Sequence, residues 1–466
     1  MTADFSDRTV AIIGLARTGL AVAEALARHG ARVMASDTRP AEELQEVQGS
    51  LPAGVELEAG GHARSVAAAD LIVVSPGVPR ALPLLQAAEA DGVELIGEIE
   101  LAYRLAASPI VAITGTNGKT TTTTLVARIL AEAGLDAPLG GNIGIPLVTL
   151  AEQPCDYLVA EVSSFQLETV VDFRPKVGAW LNFTDDHLNR HGSREVYFEL
   201  KKQLFARQTA SDWAVLNADD PAVSSIRGEL AGQVLLFSRR QDITGVIVEG
   251  GWIVWRKAGS TLRVMPVSDI LLRGDHNLEN CLAATAIALA LGVAAEVIAR
   301  AIAGFGGVEH RIEPVRTLNG VQWYNDSKGT NYDSTVKAIA SFAEPLVLIA
   351  GGRDKGGAIA PLIEAISRRV EHVVLLGEAG PYFERVLRAA GYEALTLTDS
   401  LEGAVAMART LARPGGVVLF SPACTSFDMF KNYEERGSLF KKAVMALEPG
   451  EVARPAVGAI QEEVSP

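Results

Sequence analysis

The segment Gly115-Thr116-Asn117-Gly118-Lys119-Thr120 stands behind the apolar run Ile110-Val111-Ala112-Ile113. Glycine lets backbone N–H groups close on an anion with no Cβ in the way. A helix starting at Lys119 adds partial positive charge at the same point. The spacing predicts a strand, a phosphate-cradling loop and a helix from Lys119 to Ala133. Lys119 then reaches the outer phosphates of a nucleoside triphosphate, Thr121 follows it in the first turn, and the Thr120 hydroxyl ligates Mg²⁺. Only Thr116 and Asn117 separate the two glycines, so the loop is shorter than G-x-x-x-x-G-K-[ST]. The competing reading is a tight strand-to-helix turn with an exposed lysine.

Further polar clusters follow apolar runs. Glu161 ends the strand candidate Tyr157 to Ala160, where a carboxylate binds Mg²⁺ directly or through water. Val162 to Glu168 continues as a polar stretch containing Ser163. Asp185-Asp186-His187-Leu188-Asn189-Arg190-His191 offers neutral imidazole for a divalent cation or a substrate carboxylate. Tyr197, Lys201 and Phe205 share a helix face, and Lys201-Lys202 reads on physics alone as an exposed lysine pair. Gly14-Leu15-Ala16-Arg17-Thr18-Gly19 is a dinucleotide fingerprint with Ala16 in place of the middle glycine, and Asp37 ends the next strand where an acid accepts ribose hydroxyls. The replaced glycine disfavours NAD and leaves the diphosphate and ribose of another nucleotide.

Four polar clusters lie late in the chain: His310-Arg311, Asn325 to Asn331, the Gly-rich Gly351 to Gly357, and Ser421 to Asp428. Ligands of α/β sheets bind at the carboxyl ends of strands, so these four point to one shared site.

The elements that must position these residues alternate strand and helix. Thr9–Ile13, Arg32–Ser36 and Leu71–Val74 read as strands of a doubly wound first unit that closes with a helix and linker over Leu101–Ser108. The second unit opens at Pro109. Its runs between Gln233 and Val267 suggest a small antiparallel patch, and an Ala-rich helix from Cys281 closes it. Gly304 to Gly307 reads as a hinge. Leu346–Ala350, His372–Leu376 and Val417–Phe420 give a third α/β unit, and the stretch from Pro449 reads as a frayed tail.

A chain of 466 residues allows about three domains. The net charge of −14 argues against nucleic-acid or anionic-membrane surfaces. Any anionic substrate is then held by local Lys, Arg and backbone N–H groups. Three scattered cysteines, Cys155, Cys281 and Cys424, indicate a reducing compartment, with Cys424 a small buried thiol. No apolar signal core opens the chain, and Cys281–Ala295 falls short of the roughly 20 residues of a membrane span. A cytoplasmic enzyme is expected.

Together these segments resemble the Mur ligases of bacterial cell-wall synthesis, from Gly14 to about Phe440. GTNGKT is common to that superfamily. EVSSFQLE from Glu161, DDHLNRHG from Asp185, NDSKGTN from Asn325, GGRDKGG from Gly351 and SPACTSFDMFKNYEERG from Ser421 are more specific. The resemblance is to the branch that adds D-glutamate, and the DNPR-type motif of the branch adding the third residue is absent. Asn189 departs from a common Asp, and Tyr332 falls where the family varies.

The resemblance implies an α/β protein of three domains. Residues 1–107 form a Rossmann-like domain for a UDP-sugar, 108–307 a P-loop-type ATP-binding domain, and 308–448 a Rossmann-like domain for the amino acid and part of ATP; 449–466 is a disordered tail. The implied reaction is ATP-dependent amide formation between UDP-N-acetylmuramoyl-L-alanine and D-glutamate through an acyl phosphate. The implied catalytic and metal residues are Lys119, Thr120, Asn142, Glu161, His187 and Lys201, with Lys201 carbamylated and Lys202 its neighbouring rival. Gly115 to Thr121, Asn277, Asn280, Arg311, Asp326 and Lys328 match the ATP side. Thr330, Lys355, Ser426 and Tyr433 match the glutamate side, and Arg17, Thr18, Asp37, Thr38, Arg39, Ser75, Gly77 and Ser163 the nucleotide-sugar side. ATP, two Mg²⁺ ions and a monomer without nucleic-acid partner or membrane insertion complete the expectation. The alternatives are a sibling ligase adding L-glutamate or another amino acid, a folylpolyglutamate-type ligase, an NAD-dependent oxidoreductase, and a nucleotide-regulated binding module.

Overall fold

The computed structural model describes residues 5–448; the expected tail, 449–466, lies outside them. The chain divides into two compact units between Phe305 and Gly306.

The first unit holds two sheets. β1 (Thr9–Ile13), β2 (Arg32–Asp37), β3 (Glu56–Ala59), β4 (Leu71–Val74) and β5 (Glu94–Gly97) form a parallel sheet in the order β3-β2-β1-β4-β5. The order reverses at β1, which makes the carboxyl ends of β1 and β4 a topological switch point. β6 (Ile110–Thr114), β7 (Leu139–Gly141), β8 (Leu158–Glu161), β9 (Val177–Trp180), β10 (Trp213–Asn217), β11 (Gln233–Ser238), β12 (Gly245–Glu249), β13 (Trp252–Lys257) and β14 (Ser260–Pro266) form the second, in the order β14-β13-β12-β11-β10-β9-β6-β8-β7. β4, β6, β8 and β9 are buried along their whole length, as suits strands covered on both faces.

The antiparallel patch expected between Gln233 and Val267 is not a separate body. β12, β13 and β14 pair antiparallel, but β11 pairs parallel with both β10 and β12, so the hairpins extend the nucleotide-type sheet. The Ala-rich helix starts at Asp275 rather than Cys281 and ends at Ala290. The polar first turn, Asp275 to Asn280, breaks the apolar pattern that marks the rest.

One apolar cluster runs from Val10, Ile12 and Ile96 of the first sheet into Ile110, Leu158 and Trp180 of the second. The helix Glu98–Leu105 fastens the two. Glu98 Oε1 accepts from Val148 N at 2.8 Å, and Glu100 accepts from the backbone N–H groups of Val171, Asp172 and Phe173. Both Glu100 oxygens are thus matched by backbone donors from beside the second sheet, whereas Glu98 Oε2 is buried without a hydrogen-bond partner among the described residues.

In the second unit, β15 (Glu313–Leu318), β16 (Val321–Asn325), β17 (Leu346–Gly351), β18 (Val370–Leu376), β19 (Leu395–Leu397) and β20 (Val417–Phe420) follow the order β15-β16-β20-β17-β18-β19. Only β15 runs antiparallel to its neighbour. Alternation along the strands divides the core between two faces. Leu348, Leu375 and Leu419 belong to one cluster, and Val347, Ile349, Val374 and Phe420 to the other.

Candidate active site

The phosphate loop leaves β6 at Thr114 and enters a helix over Lys119–Glu132, whose N-cap is Gly118. Gly118 is left-handed (φ +84°), and a Cβ on it would lie 2.3 Å from Asn280 Oδ1. Asn280 also accepts from the Thr122 hydroxyl at 3.3 Å, and its amide donates to Asn277 Oδ1 at 3.2 Å. Both asparagines expected on the ATP side therefore come to the loop from the helix Asp275–Ala290.

Two residues absent from the sequence reading hold the loop open. Asn182 takes Asn117 N on its side-chain oxygen at 2.9 Å and returns its amide to Asn117 O at 3.0 Å. The Thr116 hydroxyl donates to Thr184 O and accepts from Thr184 N, both at 3.0 Å. Asn182 and Thr184 follow β9, so the rule of strand carboxyl ends would have marked them had β9 been read as a strand.

Glu161, 3% exposed, closes the far side of the loop. Its carboxylate accepts from Thr120 Oγ1 and from Asn142 Nδ2, each at 2.8 Å. Gly141 makes the approach possible: it has φ +93°, and a Cβ would meet Glu161 O at 2.5 Å. The Thr120 hydroxyl in the first turn of the helix and the Glu161 carboxylate at the end of β8 are hard oxygen donors of the kind Mg²⁺ takes, so the set fits that ion.

The exposed lysine pair is corrected. Lys201 is 1% exposed, and its Nζ donates to Gly115 O at 3.0 Å and lies 4.8 Å from the centre of the Tyr197 ring. Lys119 Nζ reaches the same carbonyl at 2.9 Å. Burial, reinforced by the Lys119 charge, pushes the Lys201 amine well below the usual lysine range. Lys202 instead pairs with Glu229 at the surface. The helix Arg194–Lys202 buries the Tyr197–Lys201 face. The Tyr197 hydroxyl is 3.3 Å from the Thr116 hydroxyl.

His187 adopts left-handed backbone (φ +54°) beside Asp186, with the Phe165 ring 4.9 Å away. The structure sets it between this ring and the Asp186 carboxylate; among the described residues no three His, Cys, Asp or Glu side chains form a metal cluster. Ser163 caps the short helix Ser164–Leu167 through a capping box with Gln166.

At the first sheet, Asp37 holds Arg39 through both carboxylate oxygens and accepts from Leu15 N at 2.9 Å. The Arg39 guanidinium keeps its carboxyl well below the usual carboxylate range. Ser75 Oγ donates to Gly14 O at 2.7 Å, joining β4's end to the glycine turn. Thr38 and Gly77 are exposed near these ends, Thr18 is half-buried, and Arg17 reaches Gly144 O, in the loop carrying Asn142.

The second unit has its own cluster at the carboxyl ends of β16, β17 and β20. Asp326 accepts from Ser421 Oγ at 2.7 Å and Ile312 N at 3.2 Å, and burial pushes its carboxyl up to about 6. Lys328 Nζ lies 5.2 Å from the centre of the Tyr433 ring, Ser327 Oγ donates to Tyr433 O, and Thr330 N donates to Lys328 O. Arg311 is half-buried, Ser426 buried and Lys355 exposed. Arg436, 1% exposed, was not singled out by sequence. Its guanidinium joins Ser327 to the carbonyls of Cys424 and Thr425, so it ties two of the polar loops together.

The middle domain of Mur ligases matches residues 113–288, the Mur ligase MurD-like N-terminal domain residues 8–97, and the glutamate ligase domain of Mur ligases residues 310–424. The chain belongs to the Mur ligase family. Among its relatives, the UDP-N-acetylmuramoylalanine–D-glutamate ligase of Pelotomaculum thermopropionicum is 46% identical, over 97% of this chain and 100% of that protein. The ligase of the same name from Geobacter metallireducens is 48% identical, over 96% and 99%. The fold is also that of UDP-N-acetylmuramate–alanine ligase MurC from Thermotoga maritima, at a TM-score of 0.58 and 19% identity over 94% of this chain and 99% of that one. A pseudomurein peptide ligase type C from Methanothermus fervidus gives 0.57 at 22% identity, over 89% and 96%. Mur ligases are ATP-dependent, Mg²⁺-requiring C–N ligases built from three α/β domains, and this chain is one of them.

Proposed function

We propose that the chain joins D-glutamate to UDP-N-acetylmuramoyl-L-alanine in peptidoglycan precursor synthesis. The observation that carries the chemistry is the pair of amines, Lys119 and Lys201, meeting at Gly115 O beside the Thr120–Glu161 pair. The D-glutamate ligases above, similar over almost the whole chain, support the choice of substrates.

A carboxylate is a poor electrophile because oxide would have to leave. Transfer of the outer phosphoryl group of ATP to the alanyl carboxylate gives an acyl phosphate, and phosphate then leaves as the amine of glutamate attacks. Two anions must first approach, and Lys119 with the loop N–H groups offsets that repulsion. Thr120 and Glu161 would hold Mg²⁺, which adds positive charge at the phosphates. Asn142 fixes the Glu161 carboxylate for that role.

A buried, neutral Lys201 amine is the form whose lone pair attacks CO2, giving a carbamate and a released proton. The carbamate supplies an anionic oxygen where an ammonium would repel a cation. We assign it to Lys201, and we assign His187 and a second Mg²⁺ to the same region. Arg39, Ser75 and the residues around them take the nucleotide-sugar, with Asp37 holding Arg39 and the Leu15 amide in place. Arg311, Asp326 and Lys328 take part of ATP, and Thr330, Lys355, Ser426 and Tyr433 O take glutamate. Among the described residues no helix is long and apolar enough to cross a membrane. We place the enzyme in the cytoplasm as a monomer, where its nucleotide substrates are.

Phosphate release with the UDP-linked alanyl acceptor, measured across a panel of D- and L-amino acids, tests this reading. Turnover with D-glutamate alone is expected. Equal turnover with L-glutamate, or release that needs no amino acid, contradicts it. An oxidoreductase is tested by NAD, which should leave the chain's fluorescence unchanged.

A further inference from the structure

The loop after β3 folds back on the loop after β2. Gly60 N donates to Arg39 O at 2.9 Å and Gly61 N to Asp37 O at 3.1 Å. His62 is thereby set beside Ser36, at the carboxyl end of β2, and is half-buried. The buried Ser36 hydroxyl donates to Ile12 O at 2.9 Å, which commits its only hydrogen. The 2.8 Å contact between Ser36 Oγ and His62 Nδ1 must then have the imidazole as donor. Burial lowers the ring's pKa, which favours the neutral form. A neutral ring protonated at Nδ1 has an acceptor lone pair at Nε2. No protein group among the described residues takes it.

Asp37 next to it has no acceptor site to spare. Oδ1 accepts from Arg39 N and Nε, both at 3.0 Å, and Oδ2 from Leu15 N and Arg39 Nη2, both at 2.9 Å. Four donors fill the roughly four lone-pair sites of a carboxylate. His62 Nε2 is thus an acceptor at this edge of the nucleotide domain that no described protein group takes.

We propose that His62 is a specificity-determining residue that accepts the N3–H of uracil and so separates uracil from cytosine, whose N3 carries no hydrogen. The proposal rests on the reading that the first domain holds a uridine diphosphate. Ser36 is the group that fixes the tautomer. The chemistry is a single neutral hydrogen bond to a group that is otherwise left unpaired, so its loss weakens binding by about tenfold.

The test is calorimetric titration of the full chain with UDP, CDP and N3-methyl-UDP. The wild type is expected to prefer UDP. His62→Phe keeps a ring but removes the acceptor; it should lose about tenfold on UDP and nothing on CDP or N3-methyl-UDP. His62→Gln, whose amide oxygen accepts, should recover part of the loss. In turnover, KM for the UDP-linked acceptor should rise while KM for ATP stays, which a general loss of structure would not give. If His62→Phe does not fold, Ser36→Ala frees the tautomer and should narrow the ratio of UDP to CDP affinity. An unaltered ratio in the variants, or equal loss on UDP and CDP, overturns the proposal alone. A wild type that binds neither nucleotide overturns the domain's assignment with it.

Discussion

Glu98→Gln should stabilise the enzyme at alkaline pH and do nothing at acid pH. Glu98 opens the helix that fastens the first sheet to the second, and it is 1% exposed. Burial pushes its carboxyl from 4.5 up to about 7, opposed by the amides of Val148 and Leu147 and by the Gln166 side chain. The folded state holds the proton more tightly than the unfolded state does. The stabilising effect of that proton is complete below 4.5 and is lost as pH rises through 7. Displacement from 4.5 to about 7 corresponds to about 3 kcal/mol at full ionisation. Glutamine keeps an acceptor for Val148 N and has no charge to bury. The variant should match the wild type at the acid end, gain between the two pKa values, and level off about 3 kcal/mol more stable above 8. Urea unfolding of both proteins across that range measures the difference. A difference that does not change with pH, or one that favours the wild type at high pH, refutes the reasoning.

Other changes probe the phosphate loop directly. Lys119→Met should lower phosphate release by about three orders of magnitude while far-ultraviolet circular dichroism stays native, since the amine donates to the carbonyls of Gly115 and Thr116 within the loop itself. Lys201→Ala should be inactive and regain partial turnover with added short carboxylic acids. Lys202→Ala should lose no more than about 0.5 kcal/mol, the usual worth of a surface pair such as that with Glu229; the reverse pattern in an activity assay would move the carbamate to Lys202. Gly118→Ala places a Cβ on Asn280 Oδ1 in left-handed backbone. It should weaken ATP binding at least about tenfold in a nucleotide titration, from roughly 1–2 kcal/mol of backbone cost alone.

Much of this site was legible where one segment carries both the apolar strand and the polar turn. β1, β4 and β20 have the bounds their Val- and Ile-rich runs suggest, and the loop from Gly115 lies where glycine spacing puts it. β3, Glu-Leu-Glu-Ala, was not legible because half its residues are charged and none is fully buried. β9, Val-Gly-Ala-Trp, is short and contains glycine, and missing it concealed Asn182 and Thr184. Lys201 looks like a surface lysine because its burial depends on Thr114 and Gly115, at the end of β6 and far away in the chain, meeting the Tyr197–Lys201 face of its helix. Arg436 was illegible for the same reason: Ser327 and Cys424 reach it from two different loops. The motif resemblance supplied Lys201's role where spacing alone gave none. The extension of the second sheet by β12 to β14 depends on parallel pairing of β11 with β12, which no local pattern announces.

The central claim is that the loop beside Lys119 converts an inert carboxylate into an acyl phosphate. Its most direct test is turnover of acceptor carrying ¹⁸O in the alanyl carboxylate, with ATP, Mg²⁺ and D-glutamate present. Mass analysis of the released phosphate should find one ¹⁸O per molecule transferred from the acceptor. Phosphate free of the label, with amide still formed, would contradict the account.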